Sequence, residues 1–160
     1  MHGEAAAKDE TVVVGCEDGV LVYKDGSIKK VQSPTEYGRI GNQAGSEESA
    51  VVLGDYKQDP DAELERPEKV SLIDTETGTM RLVDLGTSYT FRSLARGPHG
   101  EALVLGTDGK IHVIDPRPAR SSGRSPYSTR GRSRWTGSSP ARPSSSATTR
   151  RTSRTRRTRS

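Results

Sequence analysis

The sequence is poor in the residues that build large cores. Only 29% of its 160 residues are hydrophobic, 4% are aromatic, and it has one Cys, one Trp and one Phe. Globular chains hold roughly 45–50% apolar residues when Gly is counted, so one core cannot enclose the whole chain. A single Cys excludes an internal disulfide. No charged-then-apolar leader is visible, and no apolar run approaches the roughly 20 residues of a membrane helix, so we expect no membrane span.

Motifs of the common enzyme classes are also missing. The segment Gly38–Gly41 has neither the spacing of a phosphate-binding loop nor the Lys-Ser/Thr pair that follows one, and no Gly-x-Ser-x-Gly elbow occurs. Cys16 has no His near it in the sequence. The acidic pairs Glu17–Asp18 and Glu47–Glu48 are adjacent, and adjacent side chains of an extended chain point to opposite sides. We therefore predict turn and surface roles for these pairs, no catalytic or organic-cofactor residue, and a protein that is not an enzyme.

Charge divides the chain into two segments. Residues 1–116 contain 12 basic and 21 acidic residues, a net charge of −9, whereas residues 117–160 contain 13 Arg and no Lys, Asp or Glu. The second segment has no Val, Ile, Leu, Met or Phe. It cannot bury enough apolar surface to offset an ordering entropy of about 1–2 kcal/mol per residue. We predict a folded domain over 1–116 and a disordered Arg/Ser/Thr-rich tail over 117–160.

The origin of the tail has three interpretations. Basic residues change from a mixture of Lys and Arg to Arg alone after Pro116, and Arg, Pro, Ala, Gly, Ser and Thr are what GC-rich DNA encodes when it is read out of frame. We therefore favour a frameshift over a solvated tail without a partner. The third interpretation is an arm that neutralises nucleic-acid phosphates. Nucleic acid is not the predicted partner, because the acidic balance of 1–116 disfavours phosphate polymers.

Residues 1–116 contain an internal repeat. Thr11–Lys24 and Glu101–Asp115 both run through an apolar triplet, a Gly, a short acidic-Gly turn and an alternating strand. A third copy begins at Ser49–Tyr56 and resumes at Lys69–Asp74, with Lys57–Glu68 inserted in its hairpin. Once this insertion is removed, the period is about 40 residues, which is the length of a four-stranded propeller blade.

The repeat predicts an all-β fold, a partial β-propeller of about two to three blades of four-stranded antiparallel sheet followed by the disordered tail. Three nearly continuous apolar runs are predicted to be inner strands between blades: Val12–Val14, Val51–Leu53 and Leu103–Leu105. Helical composition is confined to Ala5–Glu10 and to Asp61–Glu68, which we predict to be a loop. Because a propeller typically needs four to eight blades to close, we expect 1–116 to be the front part of a larger protein.

Three histidines are candidate zinc ligands, because zinc favours imidazole, thiolate and carboxylate donors. Judged by local sequence alone, His2 is a surface residue near the N-terminus, His99 lies in a turn, and His112 is a structural residue on a strand.

Five segments resemble the first part of the AztD-type zinc metallochaperones: His2–Ala5, Thr11–Tyr23, Tyr37–Gly45, Val70–Gly86 and Gly97–Pro116. Those proteins are secreted or periplasmic β-propellers that bind zinc and are understood to pass it to the solute-binding protein of an ABC zinc importer. The resemblance implies zinc as the bound metal, that solute-binding protein as the partner and an extracytoplasmic location for the intact parent.

The resemblance also bears on single residues. It implies that His2 is a zinc ligand and that further ligands lie beyond residue 116. It also implies that Met1 is an internal start and that Cys16 has lost a partner that precedes His2 in the family.

Three other functions remain open at this stage. The first alternative is a generic β-propeller interaction module without metal. A quinoprotein-like or lyase-type propeller enzyme would require a central constellation of charged residues or a bound cofactor. An RNA-binding protein that uses the Arg tail would bind with a steep dependence on salt.

Overall fold

The computed structural model describes residues 2–117 and 127–128, with the backbone alone for His2, Phe91 and Tyr127–Ser128. All regular secondary structure in this part of the chain is β-strand, so the described residues include no helix that could cross a membrane. The strands are β1 (His2–Ala7), β2 (Thr11–Cys16), β3 (Asp18–Lys24), β4 (Ser27–Gln32), β5 (Gly38–Arg39), β6 (Gln43–Ser46), β7 (Ser49–Gly54), β8 (Lys69–Asp74), β9 (Thr79–Asp84), β10 (Tyr89–Arg96), β11 (Ala102–Gly106), β12 (Ile111–Ile114) and β13 (Tyr127–Ser128).

Twelve of these strands form three antiparallel sheets in which each strand pairs with its neighbours in sequence. We call them blade 1 (β1–β4), blade 2 (β6–β9) and blade 3 (β10–β13). The two-residue strand β5 pairs in parallel with β3, where Gly38 lies opposite Asp18. The predicted fold class, an all-β partial propeller built from four-stranded antiparallel sheets, is confirmed.

Tight turns connect the strands at the predicted acidic-Gly positions. Asp25 and Gly26 have φ values of 49° and 78° and join β3 to β4 as a two-residue hairpin loop. Both central residues of such a turn need positive φ, and this is the reason that Asp-Gly is favoured there. Gly78 has a φ of 68° in the corresponding turn of blade 2, between β8 and β9, and Gly109 has a φ of 75° in the turn between β11 and β12 of blade 3.

The order of the strands within each blade agrees with the prediction of inner strands buried between blades. The apolar runs Val12–Val14, Val51–Leu53 and Leu103–Leu105 each lie in the second strand of their blade. The first strands are the ones that converge: β6 contacts β1 on one side and β10 on the other. The apolar runs are central in their sheets, and this position gives them their burial.

The two segments of helical composition are not helices. Ala5–Ala7 belongs to β1, and residues 8–10 form a turn. Residues 61–68 lie in the connection between β7 and β8, as the predicted loop requires. This connection is largely exposed, and Leu64 in it is 75% exposed.

Two apolar clusters hold the blades together, and both include blade 2. Val52 and Ile73 pack toward blade 1, whereas Leu53 and Leu72 pack toward blade 3. Blade 2 is therefore buried on both faces, which explains why β7 lacks the polar alternation of a half-exposed strand.

Within residues 117–160, the structure describes only Arg117, Tyr127 and Ser128. Arg117 pairs with Asp115 across 2.8 Å. Tyr127–Ser128 pairs with β12 as the fourth strand of blade 3. Residues 118–126 and 129–160 lie outside the described residues, and there the disordered tail and its frameshift origin stay predictions.

Tyr89 joins blade 3 to blade 2 by hydrogen bonds. Its buried hydroxyl donates to the Lys69 carbonyl oxygen at 2.7 Å and accepts from the Tyr56 amide at 3.1 Å. Burial raises the pKa of Tyr89, so the hydroxyl stays a donor at physiological pH. Tyr89→Phe is expected to lower the free energy of unfolding by about 2 kcal/mol, because two buried groups lose their partner. Urea unfolding followed by far-UV circular dichroism measures this loss.

The matched control is Tyr23→Phe, since the Tyr23 side chain is 47% exposed. Its unfolding free energy should stay within about 0.5 kcal/mol of the wild type. Equal losses for the two variants would contradict the role given to the Tyr89 hydroxyl.

Candidate functional site

The convergence of the first strands creates a seam of small residues between blades 1 and 2. A side chain at Gly45 would overlap the backbone of Ala6, and one at Gly3 would come within 2.5 Å of the Gly41 carbonyl oxygen. Backbone therefore packs directly on backbone here, which only glycine allows. The seam positions the N-terminal end of β1, where His2 lies.

The backbone of His2 lies opposite Gly15 in the β1–β2 pair. The register shifts between His2 and Glu4, and Gly3 at this bulge has a φ of 50°. Bulges of this kind redirect a side chain and are common beside functional sites. The side chain of His2 lies outside what the structure describes, so its role as a zinc ligand stays a prediction.

The first residue of β6, Gln43, makes a hydrogen bond to the bulge. The Gln43 side-chain amide donates to the Gly3 carbonyl oxygen at 3.2 Å. The other amide atom, Gln43 Oε1, is buried and has no hydrogen-bond partner among the described residues. Contact with Gly41 and the bond to Gln43 together fix the backbone that carries His2.

Asp55 is the buried carboxylate that positions this segment. Its Oδ1 accepts hydrogen bonds from the amides of Gly41, at 2.7 Å, and of Asn42, at 3.1 Å. Burial raises the pKa of Asp55, while the two amides and the charges of Lys57 and Arg39 act in the opposite direction. Asp55 thus positions Gly41, and Gly41 in turn packs against Gly3, the residue next to His2.

Arg96 in β10 is a partly buried charge at the boundary between blades 2 and 3. Its guanidinium donates to the carbonyl oxygens of Val51, at 2.7 Å, and Gly100, at 2.5 Å. Burial lowers the pKa of Arg96, and the nearby Glu101 opposes this shift. Because its guanidinium donates to these backbone carbonyl oxygens, Arg96 links blade 3 to blade 2 and holds the hairpin between β10 and β11.

The other two histidines lie in blade 3, away from β1. His99 is exposed in the turn before β11, and its amide donates to Glu101 at 3.0 Å. His112 is 2% exposed, and its Nε2 lies 3.2 Å from Asp108 Oδ1. The predicted turn position of His99 and the structural position of His112 are confirmed. Within residues 3–117, no three His, Cys, Asp or Glu side chains are grouped so that they could hold a metal ion.

The other residues considered in the sequence analysis are Cys16 and the two acidic pairs. Cys16 is a partly buried free thiol at the end of β2. Asp18 accepts a hydrogen bond from Gln32 at 3.1 Å and pairs with Lys30, which holds the pKa of its carboxyl below the usual value. Glu47 and Glu48 are exposed in the turn between β6 and β7. Glu17, Glu47 and Glu48 therefore have the predicted turn and surface positions, whereas Asp18 is the first residue of β3 and has a half-exposed side chain.

Asp55 and Arg96 were missed by sequence reasoning. Arg96 carries no signal, since its burial depends on the packing of two blades. The sequence around Asp55 does contain a signal. This carboxylate directly follows the continuous apolar strand Ser49–Gly54, so it is expected to be buried with that strand.

No family model and no curated protein sequence matches the chain. Two solved structures do: the crystal structure of Citrobacter koseri AztD, with a TM-score of 0.56, and that of apo AztD from the same organism, with a TM-score of 0.57. Each is 26% identical and covers 72% of this chain. The chain spans only 30% of the length of either structure. The resemblance inferred from the sequence is thus confirmed for part of a propeller: the chain has an AztD-like fold.

Proposed function

We propose that this chain is the part of a zinc metallochaperone propeller that contributes His2 to the site for the transported ion. The observation that carries the proposal is the match to two AztD structures over 72% of the chain. The bulge at His2–Glu4 supports it, because it places His2 at the irregular end of a strand whose backbone is fixed by Gly41 and Gln43.

A chaperone site has to hold zinc and also release it. Neutral imidazole is a good zinc ligand, and affinity rises with each further deprotonated donor on a rigid scaffold. We expect the other donors to lie in the rest of the propeller, beyond residue 116. A site completed by several blades would bind zinc tightly, whereas His2 with water ligands would bind it weakly.

Delivery requires a partner that offers competing donors. The proposed partner is the solute-binding protein of an ABC zinc importer, which would place the intact parent outside the cytoplasm. The net charge of −9 over residues 1–116 favours the approach of a cation. No bond of a substrate is made or broken in such a transfer, so the proposed activity is not enzymatic.

The test is a zinc titration of the intact parent, which includes the blades beyond residue 116, in competition with a chromophoric chelator. His2→Ala is expected to raise the dissociation constant for zinc at least about tenfold, which corresponds to about 1.4 kcal/mol. The matched control is His99→Ala, because His99 is exposed in a turn of blade 3. We expect that variant to bind zinc as the wild type does.

Two results would count against the proposal. Equal dissociation constants for the wild type and His2→Ala would remove His2 from the site. An intact parent that binds no zinc would favour the alternative, a β-propeller interaction module without metal.

A further inference from the structure

Gln43 Oε1 is a buried acceptor that lacks a donor. The amide nitrogen of the same side chain, Nε2, donates to the Gly3 carbonyl oxygen at 3.2 Å. Because only the nitrogen of an amide can donate, this bond fixes which way the Gln43 amide is turned. Oε1 is withdrawn from solvent, and no donor among the described residues reaches it. A buried polar atom of this kind is destabilising without a partner, so its presence points to a donor that the described contacts do not include.

The neighbouring amides are already committed to another acceptor. Those of Gly41 and Asn42 both donate to Asp55 Oδ1, at 2.7 and 3.1 Å, and a backbone amide has a single hydrogen to donate. Further blades would not reach Gln43 Oε1 either, since this atom has almost no exposed surface in the chain as it stands. The missing donor therefore belongs to a group that lies directly beside Gln43.

His2 is the residue beside this acceptor whose side chain can donate. The Gln43 amide is bound to Gly3, so it lies one residue from His2 along β1. The register shift between His2 and Glu4 turns the chain at this point, and such bulges redirect side chains. A neutral imidazole has one ring N–H and one bare nitrogen. A single ring can therefore donate to an amide oxygen and bind a metal ion at the same time.

We propose that the His2 imidazole donates its ring N–H to Gln43 Oε1, so that Gln43 is the positioning residue that selects the ring nitrogen left for zinc. The bond fixes the tautomer and the direction of the ring, because the partner of the N–H decides which nitrogen stays bare. Metal-binding histidines are commonly oriented by a partner of this kind. The hydrogen bond does not depend on zinc, whereas its role in zinc binding rests on the proposed function of His2.

The first test is nitrogen NMR of the metal-free full chain with isotope-labelled histidine, at a pH at which imidazole is neutral. Long-range proton–nitrogen spectra distinguish the two tautomers of each ring, and His2→Ala assigns the signals of His2. The wild type is expected to show His2 in one tautomer. Gln43→Met removes the acceptor while it keeps nearly the same side-chain length, so both tautomers of His2 should then appear.

Gln43→Glu separates the acceptor from the bond to Gly3. An ionised carboxylate accepts a hydrogen bond from imidazole but cannot donate one to the Gly3 carbonyl oxygen. His2 should therefore keep a single tautomer in Gln43→Glu. If Gln43 only holds the backbone at Gly3, the Glu and Met variants lose the same bond and should give the same His2 spectrum, which would contradict the proposal.

The second test is the chelator competition on the intact parent. Gln43→Met is expected to raise the dissociation constant for zinc about 10–100-fold, as the loss of such a partner commonly does, while Gln43→Glu should bind zinc at least as tightly as the wild type. The matched control is Gln32→Met, because the exposed Gln32 amide also makes one side-chain hydrogen bond, to Asp18 at 3.1 Å. This control should change neither the His2 spectrum nor zinc binding.

Thermal unfolding followed by circular dichroism verifies that the Gln43 variants are folded. The proposal is overturned if wild-type His2 populates both tautomers, or if its spectrum is unchanged in Gln43→Met, as expected when a buried water serves Oε1. Zinc binding that His2→Ala weakens and Gln43→Met does not would overturn the positioning role and leave the proposed function intact. A single tautomer that depends on Gln43, together with zinc binding that is unaffected by His2→Ala, would instead overturn the proposed function and confirm the hydrogen bond.

Discussion

Gly45→Val is expected to lower the free energy of unfolding by about 3 kcal/mol, because the new side chain would occupy the space of a backbone. A Cβ at position 45 overlaps the carbonyl of Ala6, so β1 and β6 must separate. Overpacking commonly costs about 1–3 kcal/mol, and a neighbouring backbone cannot relax as a flexible side chain can. Urea unfolding followed by far-UV circular dichroism measures the loss.

Gly41→Ala is the matched control, because a side chain at this position overlaps nothing. A Cβ at position 41 would meet only Asp55 Oδ2, at 3.7 Å, and Arg39 Nε, at 4.0 Å, which are ordinary contact distances. Its amide also remains available to Asp55. We expect a change within about 0.5 kcal/mol. If both substitutions destabilise the protein equally, close packing of the seam is not the cause.

Asp55→Ala is expected to cost about 3 kcal/mol. The substitution removes the Asp55 acceptor from the partly buried amides of Gly41 and Asn42, and an unsatisfied buried group costs about 1–3 kcal/mol. Since this segment holds Gly3, the same change should also weaken zinc binding through His2 if the proposed function is right. Chemical unfolding gives the first effect, and the chelator competition gives the second.

Asp55→Asn separates the hydrogen bonds from the charge. Both amides donate to Oδ1, which the side-chain carbonyl of Asn can replace. Because burial raises the pKa of Asp55, the folded state binds the proton more tightly, and wild-type stability falls as pH rises from the ordinary value near 3.8 through the raised one. The unfolding free energy of Asp55→Asn, taken relative to wild type, should therefore rise with pH in this window.

Asp108→Asn should show the opposite trend. Hydrogen bonds lower the pKa of Asp108. The bond from the Lys110 amide has the largest effect, and bonds from the side chains of His112 and Lys110 add to it. Wild-type stability then rises with pH through the lowered value and up to the ordinary one, so the variant loses stability relative to wild type over that window. Parallel trends for the two variants would contradict the environments described for these carboxylates.

The second and third strands of each blade could be predicted because their apolar periodicity is set by burial between sheets. The first strands could not. β1 reads His-Gly-Glu-Ala-Ala-Ala and β6 reads Gln-Ala-Gly-Ser, which have helical or turn composition. These segments become strands because neighbouring blades approach so closely that small residues are required. Tertiary packing thus overrides local propensity at the seam.

The candidate site was accessible to sequence reasoning only in part. His2 carries no local signal, and only the resemblance to a family singled it out. The residues that fix its backbone, Gln43 and Asp55, are 41 and 53 positions away in the chain, and no short motif can express such a contact. By contrast, the Asp-Gly turns were predictable, because positive φ is a local requirement.

The sequential pairing of strands has a consequence for synthesis on the ribosome. Since β1–β4 pair only with each other and with β5, the first sheet can close soon after Arg39 has been made, before most of the second sheet exists. Pairing between near neighbours in sequence closes short loops and is fast. Each later sheet then finds a finished surface on which to assemble. The chain can therefore fold in the order in which it is translated, one blade at a time.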